Sequence, residues 1–168
     1  MSPSGAASPT RGNTSTWTLM KFAADQILTG PFDQRPLERR DDVLCYTSVL
    51  LEQDLEVTGP LEVVLYAESS ARDTDFTAKL IDIYPDGRAI HLAEGIRRAR
   101  HRLSMESVTF LERGAVAEYH IELAPTSNLF KTGHRLRVEI SSSNFPRFDR
   151  SLNTTDDIGF GTRMQVAH

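Results

Sequence analysis

The sequence is poor in the features that mark most chemical sites. Its 168 residues include one cysteine and one tryptophan, so neither an internal disulfide nor a cysteine-rich zinc site is available. No run approaches the ~20 apolar residues of a membrane-spanning helix, and no positively charged then apolar N-terminal segment marks a secretion signal. We therefore expect a cytoplasmic chain with no membrane partner, in which Cys45 is a small buried side chain.

The net charge and the absence of known motifs exclude further classes of function. The net charge of −4 disfavours a protein that binds by neutralising phosphates, so we expect no nucleic-acid partner. The G-x-S-x-G elbow of α/β-hydrolases is absent, as are the Walker A, dinucleotide-binding and zincin motifs. We therefore expect no catalytic residue, no metal and no cofactor in this chain.

The first 29 residues differ in composition from the rest. Residues 1–16 are mostly serine, threonine, proline, glycine and alanine, which favours a disordered leader. Residues 17–28 space their apolar side chains loosely as a short amphipathic helix would, and Gly30-Pro31 then ends it. The sequence thus predicts one domain over residues 30–168, entered through an irregular connector at 33–42.

From residue 43 onward the apolar pattern has a period of two. Four segments alternate cleanly between apolar and polar side chains, and a fifth is strand-like: 43–47, 61–67, 76–81, 117–123 and 134–140. Turn residues separate them, at Gly59-Pro60, Pro85-Asp86-Gly87, Arg113-Gly114 and Thr132-Gly133. This pattern is typical of antiparallel strands with one face on a core, so we predict an all-β sandwich of the Greek-key jelly-roll type.

Three groups of polar residues deserve separate interpretation. Asp73 and Asp75 flank Thr74 before a predicted strand, where aspartates more often cap a turn than bind calcium, because the EF-hand spacing is missing. Arg98, Arg100 and Arg102 would share one face if 96–103 were a strand. They would then form a basic stripe for phosphate, pair with carboxylates across strands, or contact another domain. The histidines of the strand-like segments are interpreted as structural: His91, His101, His120 and His134.

The segment that follows the last alternating strand is unusual for a loop. Residues 141–150 read SSSNFPRFDR, with two phenylalanines where small polar turn residues would suffice. Large apolar side chains in a loop usually pack against an apolar surface, either of a partner or of the same domain. One possibility is a partner domain, with Phe145 and Phe148 as anchors and Arg147 and Arg150 at the rim; the other is the open end of the same sandwich.

Eight segments in order resemble a single family. They are residues 30–35, 42–48, 55–60, 73–80, 84–89, 95–100, 131–136 and 142–150. Together they resemble the C-terminal β-sandwich of the X-prolyl dipeptidyl aminopeptidase and cocaine esterase family of serine hydrolases. Each segment is weakly specific alone, and their order over about residues 30 to 155 carries the resemblance.

The resemblance implies a galactose-binding-like jelly roll packed on an α/β-hydrolase domain that holds the catalytic serine, aspartate and histidine. None of those positions maps onto this chain, so no catalytic residue is carried over. The implied interface set is Asn144, Phe145, Arg147, Phe148, Arg150, Asp73 and Asp75. We expect one strand to begin near Arg163 and no counterpart of the family's closing strand after it, which would leave an unpaired edge.

Two partners and three functions follow as hypotheses. The first is a non-catalytic domain that shapes the substrate cleft or an interface, with a catalytic domain or a second copy as partner. The second is a free-standing carbohydrate-binding module, for which the scattered aromatics Trp17, Tyr46, Tyr66 and Tyr84 offer no cluster. The third is an autonomous hydrolase, which would need a nucleophile that no motif marks.

Overall fold

The structure is a computed structural model that describes residues 31–168, so the predicted leader and the helix at 17–28 lie outside the described residues. Its elements are helix α1 (Arg35–Glu38) and strands β1 (Leu44–Thr47), β2 (Leu55–Ala67), β3 (Asp75–Ile83), β4 (Ala89–Arg98), β5 (Ala117–Phe130) and β6 (Arg135–Ser141). A single 3-10 turn, Ala99–His101, follows β4. The predicted all-β sandwich is confirmed, and none of the helices described is long and apolar enough to cross a bilayer.

The strands pair in a nested order. The first pairs with the sixth, the second with the fifth and the third with the fourth, all antiparallel. A further pairing of β3 with β6 joins them into a four-stranded sheet, β1-β6-β3-β4, which faces the two-stranded sheet β2-β5. Folding a long hairpin back on itself produces this nesting, which is the topology of a jelly roll.

The core lies between the two sheets and is formed by alternate residues of the paired strands. Tyr119, Ile121 and Phe130 of β5 are fully buried, and the Tyr119 ring packs 4.6 Å from that of Phe76. Each such side chain contributes about 1.5–3 kcal/mol by leaving water. The facing residues of β2, such as Leu61 and Val63, are only partly buried, because β5 is the one strand that pairs with β2 in the described part of the chain.

Two local expectations are wrong. Gly59-Pro60 is not a turn between strands but a bulge inside β2, where the register shifts between Gly59 and Leu61. Gly59 has a φ of +123° there, and Pro60 sits where a missing N–H costs no ladder bond. The connector at 33–42 contains helix α1, because Pro36 occupies the first helical turn, where its fixed φ suits a helix.

Strand β4 was not predicted, and its glycine explains why. Gly95 interrupts the alternation of β4, and a Cβ added there would lie 1.9 Å from the carbonyl oxygen of Glu122 on β5. A side chain cannot occupy that position without moving one of the two sheets. The condition that 96–103 be a strand is met only as far as Arg98, because the chain then enters the 3-10 turn.

The C-terminal segment contains no strand at Arg163, contrary to expectation. It is held instead by isolated bonds: the Gln165 N–H donates to Leu152 O at 3.1 Å, and the Ser70 N–H donates to His168 O at 2.8 Å. Asn153 is buried and donates through Nδ2 to Gln165 O at 2.9 Å. These contacts attach the last residues beside the loop that follows β2.

Candidate domain-interface site

The 144–150 loop leaves the end of β6 and is anchored on β4. Glu94 accepts a hydrogen bond from Asn144 Nδ2 through Oε2, and its Oε1 lies 2.7 Å from Arg147 Nε. Because Glu94 pairs with Lys79, which stands between the core residues of β3, it projects from the outer face of the four-stranded sheet. The loop therefore lies against that outer face.

The loop presents aromatic rings stacked with guanidinium groups. Phe145 is 56% exposed, and the Arg150 guanidinium lies 5.4 Å from its ring centre. Phe148 is half-buried, with the Arg147 guanidinium 5.6 Å from its ring centre. Such cation–π contacts hold the rings in place at the surface without removing them from water.

Asp73 is buried and stabilises, through Arg100, the segment that follows the loop. It is 3% exposed, and its carboxylate accepts from the Arg100 backbone N–H at 3.0 Å and from Arg100 Nε at 2.6 Å. Arg100 Nη2 in turn donates to the carbonyls of Thr154 at 3.0 Å and Asp156 at 2.9 Å. Asp73 thus fixes the segment that follows the loop rather than capping a turn, and Arg100 is part of no exposed stripe.

Asp75 is buried without a hydrogen-bond donor for one oxygen. The residue is 1% exposed, its Oδ2 has no hydrogen-bond partner, and Arg98 Nε lies 4.0 Å away. Burial raises the pKa of the Asp75 carboxyl to about 7, and the positive charge of Arg98 opposes that rise only in part. Both aspartates of the predicted interface set therefore lie beneath the surface of the described chain.

A row of polar residues crosses the outer face of the four-stranded sheet. Cys45 of β1 is opposite Glu139 of β6, which is opposite Lys79 of β3, which is opposite Glu94 of β4. Helix α1 covers the Cys45 end of this row, because Glu38 reaches Arg137 at 2.6 Å, and the 144–150 loop covers the Glu94 end. Sequence patterns give no sign of this row, because its members are distant in sequence and meet only through strand register.

Covering that row perturbs two of its members. Glu139 is 3% exposed, and burial raises the pKa of its carboxyl to about 7. Burial also raises the pKa of the Cys45 thiol to about 11. Both groups therefore favour their protonated forms near neutral pH, which makes Cys45 a poor nucleophile.

His134 and His120 bond to carboxylates. His134 Nδ1 lies 2.8 Å from Asp82 Oδ1 in a buried pair, and His120 bridges Glu62 and Glu118 at the surface, at 3.0 and 2.7 Å. Hydrogen bonds that His120 donates to the carboxylates of Glu118 and then Glu62 raise the pKa of His120. Within residues 31–168, no histidine side chain bonds to a serine, threonine or cysteine side chain.

These features define a class of protein: an all-β sandwich with an aromatic loop anchored on one sheet face. Residues 3–164 match the family model described as the X-Pro dipeptidyl-peptidase C-terminal non-catalytic domain. The chain belongs to this family. The match begins within the segment whose composition suggested a leader.

Curated relatives are hydrolases. The chain is 53% identical over 125 residues to a cocaine esterase of Rhodococcus sp., covering 74% of this chain and 22% of the esterase. It is 35% identical over 123 residues to a putative serine esterase of Mycobacterium bovis, covering 63% of this chain and 20% of that protein. The chain therefore spans about a fifth of the length of the relatives it matches.

Solved structures agree with these relatives. An aminopeptidase from a marine sediment Thaumarchaeota archaeon superposes with a TM-score of 0.70 at 35% identity, over 73% of this chain and 22% of that one. An α-amino acid ester hydrolase gives a TM-score of 0.70 at 32% identity with the same coverage. In these larger hydrolases a domain like this chain is one part of a catalytic protein.

Proposed function

We propose that this chain is an accessory domain that packs through its 144–150 loop against an α/β-hydrolase catalytic domain and there forms part of the substrate-cleft wall or of a domain interface. The observation that carries the proposal is Phe145, a large apolar side chain left 56% exposed on a loop that is otherwise fixed. A protein gains little from holding an aromatic ring rigidly in water unless a partner covers it.

The residues around Phe145 suit the edge of such an interface. Arg147 and Arg150 keep their guanidinium groups on the rings of Phe148 and Phe145, so they can bind carboxylates or carbonyls of a partner with little loss of side-chain freedom. Asn144 fixes the start of the loop on Glu94. Asp73 and Asp75 contribute from below, through Arg100 and Arg98.

The proposal is tested by binding to the catalytic part of a relative. We would measure the affinity of the full chain for the Rhodococcus cocaine esterase from which the matching domain has been removed. The variant Phe145→Ala is expected to weaken binding at least tenfold, as loss of an aromatic anchor does. Phe160→Ala is the matched control, because Phe160 is 86% exposed but lies outside the loop.

Equal binding by both variants and the wild-type chain would contradict a role for the loop. Unchanged melting temperatures of the two variants would show that any loss of affinity arises at the surface. No binding by any form would contradict the proposal as a whole.

A carbohydrate-binding module gains no support from the aromatic residues. Tyr46 packs against the core, and Tyr84 stacks on His134 with ring centres 4.4 Å apart. Tyr66 is exposed on the outer face of β2, and Trp17 lies outside the described residues. Sugar binding needs several aromatic faces near one another, and these tyrosines lie on different parts of the sandwich.

A further inference from the structure

Three potential metal ligands meet where helix α1 crosses the four-stranded sheet. Cys45 and Glu139 are directly opposite each other on β1 and β6, and Glu38 approaches from α1. One ligand atom from each of the three residues lies within 4.8 Å of the others. The set combines a sulfur with carboxylate oxygens and lies at the opposite end of the polar row from the 144–150 loop.

A separate observation points to a ligand at this place. Glu139 is 3% exposed and its Oε1 has no hydrogen-bond partner. The neighbouring ammonium of Lys79 donates to Gln34 Oε1 at 3.1 Å and not to this oxygen. A buried carboxylate oxygen without a donor costs about 1–3 kcal/mol or more, and either a bound cation or a proton would remove that cost.

We propose that Glu38, Cys45 and Glu139 form a binding site for one divalent cation of the zinc type. Zinc accepts this mixture of thiolate sulfur and carboxylate oxygen, at about 2.3 Å to sulfur and 2.0–2.2 Å to oxygen. A tetrahedral site with those bond lengths needs ligand atoms roughly 3.5 Å apart, so the three side chains must move inward by rotation. The fourth position is left for water.

Two cations already lie beside the carboxyl groups of the site. Arg137 Nη1 lies 2.6 Å from Glu38 Oε1, and Lys79 is opposite Glu139, so a dication must bind in exchange for protons of the site. Because Cys45 and Glu139 both favour their protonated forms near neutral pH, binding forms one metal–sulfur and one metal–oxygen bond in place of the thiol and carboxyl protons and releases two protons to solvent. The net charge of the set is then unchanged, and affinity is expected to rise with pH.

The competing state is a proton shared between the two carboxyl groups, with no metal bound. The two states make opposite predictions for cobalt, which substitutes for zinc and absorbs in the near ultraviolet when a thiolate binds it. The chain has a single cysteine, so any such absorption comes from Cys45. This inference is independent of the proposed interface, because its ligands lie outside the 144–150 loop.

The test is a titration of the full, untagged chain with cobalt(II), followed by displacement with zinc. We expect a thiolate-to-cobalt band that saturates at one equivalent, disappears in Cys45→Ser, and needs at least tenfold more metal in Glu139→Gln. His120→Ala is the control, because it removes the exposed histidine between Glu62 and Glu118 and should leave the band unchanged. Wild-type protein should also melt at a higher temperature with zinc than with a chelator.

Two outcomes would overturn the proposal. The first is no sulfur band in the folded wild-type chain at millimolar cobalt, which would leave the shared proton. The second is metal binding of unchanged affinity in both Cys45→Ser and Glu139→Gln. Circular dichroism of each variant separates loss of the ligand from loss of the fold.

Discussion

Glu94 Oε1 lies 2.7 Å from Arg147 Nε, and this contact joins the edge strand β4 to the 144–150 loop. Glu94 is largely buried on β4, whereas Arg147 is exposed. The carboxylate also accepts from Asn144, so a single side chain of a regular strand holds two positions of the loop. We infer that loop geometry depends on Glu94 more than on contacts within the loop.

Replacing Glu94 with alanine is expected to free the loop while the sandwich stays folded. Loss of both contacts removes about 1–3 kcal/mol of local stability, which makes the amides of residues 144–150 exchange about tenfold faster or more. Hydrogen exchange and trypsin cleavage after Arg147 measure this. Glu112→Ala, at an exposed position, is the control, and unchanged loop protection in Glu94→Ala would contradict the assignment.

The raised pKa of Asp75 means that the free energy of unfolding is expected to fall as pH rises. Its folded-state pKa of about 7 lies above the ordinary value of 3.8, so the folded chain binds the proton more tightly and this stabilisation is lost between about pH 4 and pH 7. Asp75→Asn is expected to stabilise the chain by about 2–4 kcal/mol at pH 7.5, because one pKa unit corresponds to about 1.4 kcal/mol and the raised pKa already includes the attraction of Arg98. Urea unfolding at pH 5 and pH 7.5 measures both forms, and an equal pH dependence in both would be inconsistent with a raised pKa.

Because the ion pair of Asp73 and Arg100 is buried, replacing one carboxylate oxygen of Asp73 by nitrogen is expected to cause a large loss of stability. Asp73→Asn leaves a buried guanidinium without its counter-charge, which costs about 3 kcal/mol or more. The matched control is Asp86→Asn, whose carboxylate binds Arg88 Nε at 2.7 Å in an exposed pair and should change stability little. Thermal unfolding compares the two variants, and similar losses would show that burial does not set the strength of the Asp73 pair.

The close approach of the two sheets at Gly95 leaves no room for a methyl group. Gly95→Ala places a Cβ against the Glu122 carbonyl, a backbone group, and is expected to cost about 1–3 kcal/mol or more. Gly161→Ala is the comparison, because its nearest neighbour is the Leu152 side chain at 2.9 Å, which can rotate away. A smaller loss for Gly95→Ala than for Gly161→Ala, measured by denaturant unfolding, would show that the sheets are not closely packed at this point.

Periodicity identified most strands because one face of each is buried. The segments at 61–67 and 117–123 alternate in sequence and also in burial. Periodicity missed β4 because Gly95 is required where the two sheets approach closely, and this glycine interrupts the alternation of apolar and polar residues. It also mistook the Gly59-Pro60 bulge for a turn, since both use residues that break a regular ladder.

The candidate site was accessible to sequence analysis only in part. Phe145 and Arg147 indicated an interface because their residue types are unusual in a loop. Glu94 and Glu139 did not, since nothing in a single sequence shows that a charged strand residue will be covered. Their roles depend on cross-strand register and on what α1 and the loop place above the sheet.

The most direct test of the account is ester and X-Pro amide hydrolysis, measured for the chain alone and for the domain-deleted Rhodococcus esterase with and without it. We expect no turnover and no labelling by a serine-directed phosphonate for the chain alone, and increased activity of the deleted esterase when wild-type chain is added. Phosphonate-sensitive turnover by the chain alone, with stoichiometric labelling, would contradict the account and would place a nucleophile on this sandwich.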